Sequence, residues 1–104
     1  VYLDPNAIIA IRKLTEYLLI PLLKDDKSEY LAQGGYTLAS WQQLEQDLRQ
    51  HILSLEAQPI VKTHYGQKYQ IIGSLICPNG KILTIKTIWI VTNQTTQFVT
   101  LFPA

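Results

Sequence analysis

At 104 residues, 47% of them hydrophobic, the chain is long enough for one domain that removes roughly two thirds of its unfolded surface from water, with no need of covalent staples. One cysteine, Cys77, excludes an intramolecular disulfide and a multi-cysteine metal site, and suits a reducing compartment. A net charge of +1 excludes a broad positive field for non-specific nucleic-acid binding while leaving room for a local basic cleft. Near-neutrality on so apolar a chain also favours self-association, so a homodimer is one expected state. The longest apolar runs, such as Tyr17 to Leu23, are too short to span a bilayer and carry Pro21, which predicts a cytoplasmic protein with no membrane partner. The absence of Met, including at position 1, points to a removed start residue or to a segment of a longer protein.

Asp4-Pro5 can cap a helix in which Ala7, Ile11, Leu14 and Leu18 form the buried stripe. Residues 7–10 can equally form a short edge strand before a helix over 11–19, and the sequence leaves both open. Pro21 ends the helical part, because the residue before a proline is biased away from the α region. Lys24-Asp25-Asp26-Lys27 reads as a charged, solvated connection. Asp26 starts a second helix running to about Gln33, with Tyr30 and Leu31 as its apolar contacts and Gly34-Gly35 as its left-handed stop. Thr37 is the expected N-cap of a third helix, in which Trp41, Leu44, Leu48, Ile52 and Leu55 form one apolar side. Gln42, Glu45, Gln46, Arg49 and Gln50 form the other, toward water.

After Pro59 the period shifts to two. A first strand is expected over 60–65, followed by strands over 67–77, 81–92 and 97–102, with Pro78-Asn79-Gly80 as the turn of the central hairpin. Helices followed by an antiparallel meander predict an α+β fold with two or three helices packed on one face of a four-stranded antiparallel sheet, and room for a fifth short strand from Ile8. Alternation places Tyr69, Ile71, Leu75, Leu83, Ile85, Trp89, Val91, Val99 and Leu101 toward the helices. The open face then holds Lys62, His64, Lys68, Gln70, Ser74, Thr84, Lys86, Phe98, Thr100 and Phe102, with apolar Ile88 and Ile90 marking a covered or contact surface.

Five segments follow one pattern: Arg12-Lys13-Leu14 with Tyr17-Leu18-Leu19 and Pro21; Lys27-Ser28-Glu29-Tyr30-Leu31 with Gly35-Tyr36-Thr37; Trp41 with Leu44, Leu48 and Arg49; Gly66-Gln67-Lys68-Tyr69 with Gly73, Leu75 and Pro78-Asn79-Gly80; and Lys86-Thr87-Ile88-Trp89-Ile90 with residues 98–103. The pattern resembles a small uncharacterised bacterial domain family with a Lys-Leu-x-x-Tyr-Leu-Leu opening, a Thr-Val-Trp strand and a closing Leu-Val-Thr-Ala-Tyr-Pro. Its layout is similar to the barnase, EndoU, colicin and RelE group of small ribonucleases, often deployed as toxins. That second likeness is one of fold-level layout.

The resemblance implies attack on an RNA phosphodiester by the neighbouring 2′-hydroxyl, which needs a base, an acid and groups that hold the charged phosphorane. Lys27, Lys86 and Thr100 then become catalytic candidates, with Lys68 and Thr87 holding substrate. His64 joins the catalytic set because its unperturbed pKa lies near neutrality. Phe102 stands where the family has a tyrosine, so one hydroxyl is missing and a degenerate enzyme is part of the expectation. No metal or other cofactor is implied. The rival expectation is a non-catalytic interaction module, a dimeric partner or an immunity-type protein, docking through Ile88, Ile90, Phe98 and Phe102; a small-ligand binder is the third. Each residue also has an ordinary reading: Lys86 and Lys27 as solvated charges, Thr87 and Thr100 as cross-strand contacts, His64 and His51 as surface residues. Cys77 reads as a packed thiol, and Trp41, Trp89, Tyr17 and Tyr69 as aromatics of the core or its edge.

Overall fold

The computed structural model describes residues 1–24 and 26–104. Its element order is α1 (Ile11–Lys13) running into a π-helical turn (Leu14–Leu18), α2 (Ser28–Ala32), a 3₁₀ turn (Leu38–Ser40) and α3 (Trp41–Asp47), which runs into a second π-helical turn (Leu48–Ile52). Four strands follow: β1 (Gln58–Thr63), β2 (Gly66–Ile76), β3 (Ile82–Val91) and β4 (Thr96–Pro103). They form an antiparallel sheet in the order β1-β2-β3-β4, as a meander requires.

Local chemistry accounts for the ends of these elements. Asp26 Oδ1 accepts from the Ser28 amide at 2.9 Å and from its hydroxyl at 2.6 Å, satisfying a donor at the start of α2. Gly35, at φ +93°, closes it, with its amide on the Ala32 carbonyl and that of Tyr36 on the Leu31 carbonyl. Thr37 caps the 3₁₀ turn reciprocally with Ser40. Both longer helices widen at their C-terminal ends, where the Leu19 and Leu53 amides reach back five residues to Leu14 and Leu48.

Leu44, Leu48 and Ile52 are fully buried against Ile71, Leu75, Ile85 and Leu101 on the inner face of the sheet. Gly73 makes that approach possible: a Cβ there would lie 2.5 Å from Leu55 Cδ1. At the N-terminus the strand alternative holds. Ile8 makes a single parallel bridge to Gln97 on the edge of β4, so the expected fifth strand is one bridge long. Its amide donates to the Thr96 carbonyl at 2.7 Å, and its carbonyl accepts from the Phe98 amide at 2.8 Å.

Several expected placements change. In β4 the register slips between Ile88 and Trp89, and Val99, expected to face the helices with Leu101, is instead the extra, half-buried residue of a bulge, since Phe98 pairs with Trp89 and Thr100 with Ile88. The bulge resets the alternation. Phe98 is therefore an inward, 3% exposed core residue, edge-on to Trp89 at 5.2 Å, and not part of an open contact surface. In β1, Lys62 pairs with Gln67 and Val61 with Lys68, because His64-Tyr65 is itself the turn and fixes that register. Lys62 thus lies on the opposite face from Lys68. In the connection before α2, Lys24 is exposed but Lys27 is 5% exposed and buried; Asp25 lies outside the described residues.

Candidate functional site

The first helical run carries Leu14 and Leu18 fully into the core, which leaves Tyr17 between them, half-buried at the core margin and inside the π-helical turn. Single π-helical turns often mark functional positions. Its hydroxyl lies 2.8 Å from Thr100 Oγ1 on β4 and accepts a hydrogen bond from Lys27 Nζ at 3.0 Å. The Lys27 ammonium also stands over two rings, 5.2 Å from the centroid of Tyr17 and 5.0 Å from that of Phe102. Lys13 Nζ, one helical turn before Tyr17, lies 5.6 Å from the same Tyr17 ring. A buried ammonium is costly unless partnered, and ring faces contribute about 0.5–2 kcal/mol each toward that cost.

This arrangement changes the acidity of Tyr17. Burial pushes its pKa up, but hydrogen bonds from Lys27 and Thr100, with the positive charges of Lys27 and Lys13, outweigh burial and bring it below the ordinary tyrosine value of 10.0. The result is a phenol more willing than usual to give up its proton, with a cation in place to hold the anion.

The Tyr17 ring forms one wall of a groove of about 410 Å³, completed by Ala10, Arg12, Lys13 and Glu16. On the other side the cluster meets the open face of the sheet. Phe102 pairs with Lys86 and Lys86 with Ile72; Thr100 pairs with Ile88 and Ile88 with Gln70. Paired residues on neighbouring strands share a face, so Lys86 stands one strand spacing, about 4.8 Å, from Phe102.

The sequence candidates therefore divide. Lys27, Thr100, Phe102 and Lys86 come together at the β4 edge. Lys68 shares their face from β2, across Ile90, and Ile88 shares it as a 9% exposed residue. Thr87 does not belong with them. It is fully buried, donates to the Ile71 carbonyl at 3.2 Å and accepts from Trp89 Nε1 at 2.7 Å, so its hydroxyl is committed inside the core and holds no substrate. His64 also stands apart. It is exposed in the β1-β2 turn, edge-on to Tyr65 at 5.6 Å, and lines a separate cleft of about 680 Å³ with Lys62, Gln67, Asn93 and Gln94.

Two features went unread in the sequence. Tyr17 and Lys13 sit four residues apart, the spacing at which helical side chains meet, and this was the signal for a cation over that ring. The second is charge distribution: all eight Asp and Glu precede residue 57, while Lys62, Lys68, Lys81 and Lys86 follow it. The sheet half is wholly free of acids, a bias that the net charge of +1 conceals.

A second polar cluster lies in the interior. Tyr36 donates to Asp47 Oδ2 at 2.5 Å and Gln43 Nε2 to Asp47 Oδ1 at 2.8 Å, which partners a carboxylate only 5% exposed. Burial first, then the Asp47 hydrogen bond and charge, drive the Tyr36 pKa far up; burial likewise raises that of the neighbouring Cys77 thiol. These groups stay protonated and act in folding. Among the described residues no group of three or more His, Cys, Asp or Glu is placed to hold a metal ion, and no helix is long and apolar enough to cross a membrane.

Neither the curated proteins nor the solved structures give a match to this chain. A family model described as a domain of unknown function, DUF6883, matches residues 5–104, and with nearly its whole length matched the chain belongs to that family.

Proposed function

We propose that this domain cleaves RNA by internal transfer of the phosphodiester, with Tyr17 as the proton donor, Lys27 and Thr100 as its positioning residues and Lys86 as a phosphate ligand. The observation that carries the reading is the chain from Lys27 Nζ to Tyr17 Oη to Thr100 Oγ1, with steps of 3.0 and 2.8 Å. The chain sets a cation and a hydroxyl on one phenol oxygen at the edge of the sheet's open face, an arrangement that tunes a proton donor.

In the step proposed, the 2′-oxygen attacks phosphorus as its proton passes to water. The bond from phosphorus to the 5′-oxygen breaks, and the departing oxygen takes the Tyr17 proton. The products are a 2′,3′-cyclic phosphate end and a 5′-hydroxyl end. Lys27 stabilises the Tyr17 phenolate until solvent reprotonates it, and Lys86 offsets the charge gathering on the phosphorane oxygens. The hydroxyl missing at Phe102 is thus supplied in this reading from the helix side, by Tyr17.

The test is incubation of the purified protein with short RNA, scoring cyclic-phosphate ends, beside Tyr17→Phe and Lys86→Ala. Cleavage by the parent protein that drops in both variants supports the assignment; cleavage no greater than that of Tyr17→Phe removes it. A second reading, a non-catalytic interaction module, is favoured by the exposure of Ile72, Ile76 and Ile82 on the open face, at 55%, 50% and 64%. Concentration-dependent dimerisation lost in Ile82→Lys, without any RNA cleavage, would select it.

A further inference from the structure

We infer that the open face of the sheet is a track for single-stranded RNA, running from the Tyr17 cluster at the β4 edge across β3 to Lys68 on β2. The inference rests on the reading above for its substrate class, but its evidence is separate. Three lateral rows of paired residues make up this part of the face: Ile72, Lys86 and Phe102; Gln58, Gln70, Ile88 and Thr100; and Val61, Lys68, Ile90 and Gln97.

Each of the two lysines has apolar neighbours on both sides, and the row between them supplies the amides of Gln58 and Gln70, its Thr100 hydroxyl being engaged by Tyr17. No strand contributes an Asp or Glu. A face whose strands carry cations, uncharged hydrogen-bonding groups and apolar surface in alternation, with the Glu56 carboxylate confined to its β1 side beside Gln58, Gln70 and Ile72, is complementary to a single strand that passes over the lysines. The cations take backbone phosphates, the amides take base edges, and the exposed apolar side chains lie against base faces. Phe102, 40% exposed, has the Lys27 ammonium over its ring and is the stacking position nearest Tyr17. From the strand geometry Lys68 and Lys86 lie on the order of 14 Å apart, a span of several nucleotides. A duplex fits poorly, because its bases are stacked on each other and cannot turn onto the sheet.

The test measures binding and cleavage separately. Binding is read by fluorescence anisotropy with a labelled 2′-O-methyl oligoribonucleotide of about ten residues, which cannot be cleaved, offered as a single strand and as a duplex. Cleavage is read on a dinucleoside phosphate, too short to reach Lys68, and on an unmodified oligomer. Lys68→Glu is expected to weaken single-strand binding by about 10-fold or more at low salt, and Lys68→Gln to reduce the single-strand salt slope by about 0.7. Lys62→Glu, on the opposite face, should stay within about 2-fold of the parent. On the unmodified oligomer Lys68→Glu should raise KM with kcat little changed.

Equal weakening by Lys62→Glu and Lys68→Glu, equal binding of duplex and single strand, or a tight dimer that buries Lys68 each overturns the track. If Lys68→Glu behaves as expected and nothing is cleaved, the proposed chemistry fails while the track stands. Cleavage of the dinucleoside phosphate with no effect of Lys68→Glu on the oligomer removes the track alone. Circular dichroism on every variant keeps misfolding from being read as lost binding, and Lys68→Gln serves where the glutamate variant fails to fold.

Discussion

Lys27 sets the acidity of Tyr17, and the consequence is measurable without any substrate. With Lys27 as donor to its oxygen, Tyr17 should ionise below the ordinary tyrosine range, and near-ultraviolet titration should show one early phenolate that disappears in Tyr17→Phe. Replacing the ammonium, as in Lys27→Met, removes the largest influence opposing burial, so that ionisation should move up. If cleavage uses Tyr17 as acid, activity falls as pH rises through its pKa, and Lys27→Met should move the same limb upward. Tyr17→Phe should cost about 10²–10⁴-fold in kcat, the usual range for a positioned proton donor. Tyr36 makes the contrasting case. Tyr36→Phe strips a buried carboxylate of one of its partners and should cost about 1–3 kcal/mol in urea unfolding, with no effect on the early phenolate.

Among the elements, β4 shows how one extra residue decides a surface. Without the bulge at Val99, strict alternation points Phe98 outward; with it, Phe98 joins Trp89 in the core while Thr100 and Phe102 keep the open face. Phe98→Ala should therefore cost about 3–5 kcal/mol, and Phe102→Ala less than half as much, by urea denaturation. The reverse order would show that the strand runs without its bulge. The join between α2 and the β2-β3 hairpin is equally tight. Asn79 Nδ2 donates to the Gln33 carbonyl at 2.9 Å, and a Cβ on Gly34 would fall 2.4 Å from Cys77 Sγ. Gly34→Ala should lose about 1–3 kcal/mol through overpacking, part of it recovered when Cys77→Ala removes the sulfur.

Across the whole molecule, charge and alkaline stability follow from where the two halves meet. All eight acids precede residue 57 in the sequence and the strands carry lysines alone, with Glu56 bordering the sheet beside Gln58 and Gln70, so a chain of net charge +1 still concentrates its cations on β1, β2 and β3. Between the halves, Cys77 and Tyr36 have folded-state pKa values above their unfolded ones. Their contribution is fully present below the unfolded values and is lost as pH rises past them, first for the thiol near 9.0 and then for the phenol near 10.0. The urea midpoint should therefore fall on the alkaline side of pH 9.0, and Cys77→Val should delay the onset of that fall.

Periodicity, turn chemistry and capping residues act over a few positions, and they were enough to determine the second and third helices, the meander and the inner faces of its two central strands from the residues alone. Thr37, Gly35, Asn79-Gly80 and the Leu44, Leu48, Ile52 stripe mean the same thing in the sequence and in the fold, because each answers a local hydrogen-bonding or burial demand. The cluster around Tyr17 is another matter. Tyr17 meets Thr100 across 83 positions, Phe98 changes face through a register slip, and Lys27 leaves a charged connection to lie between two rings. None of these has a local cause. Tertiary packing decided them, because a register, a bulge and the burial of a charge are set by partners distant in the chain, whose arrival cannot be read from their neighbours.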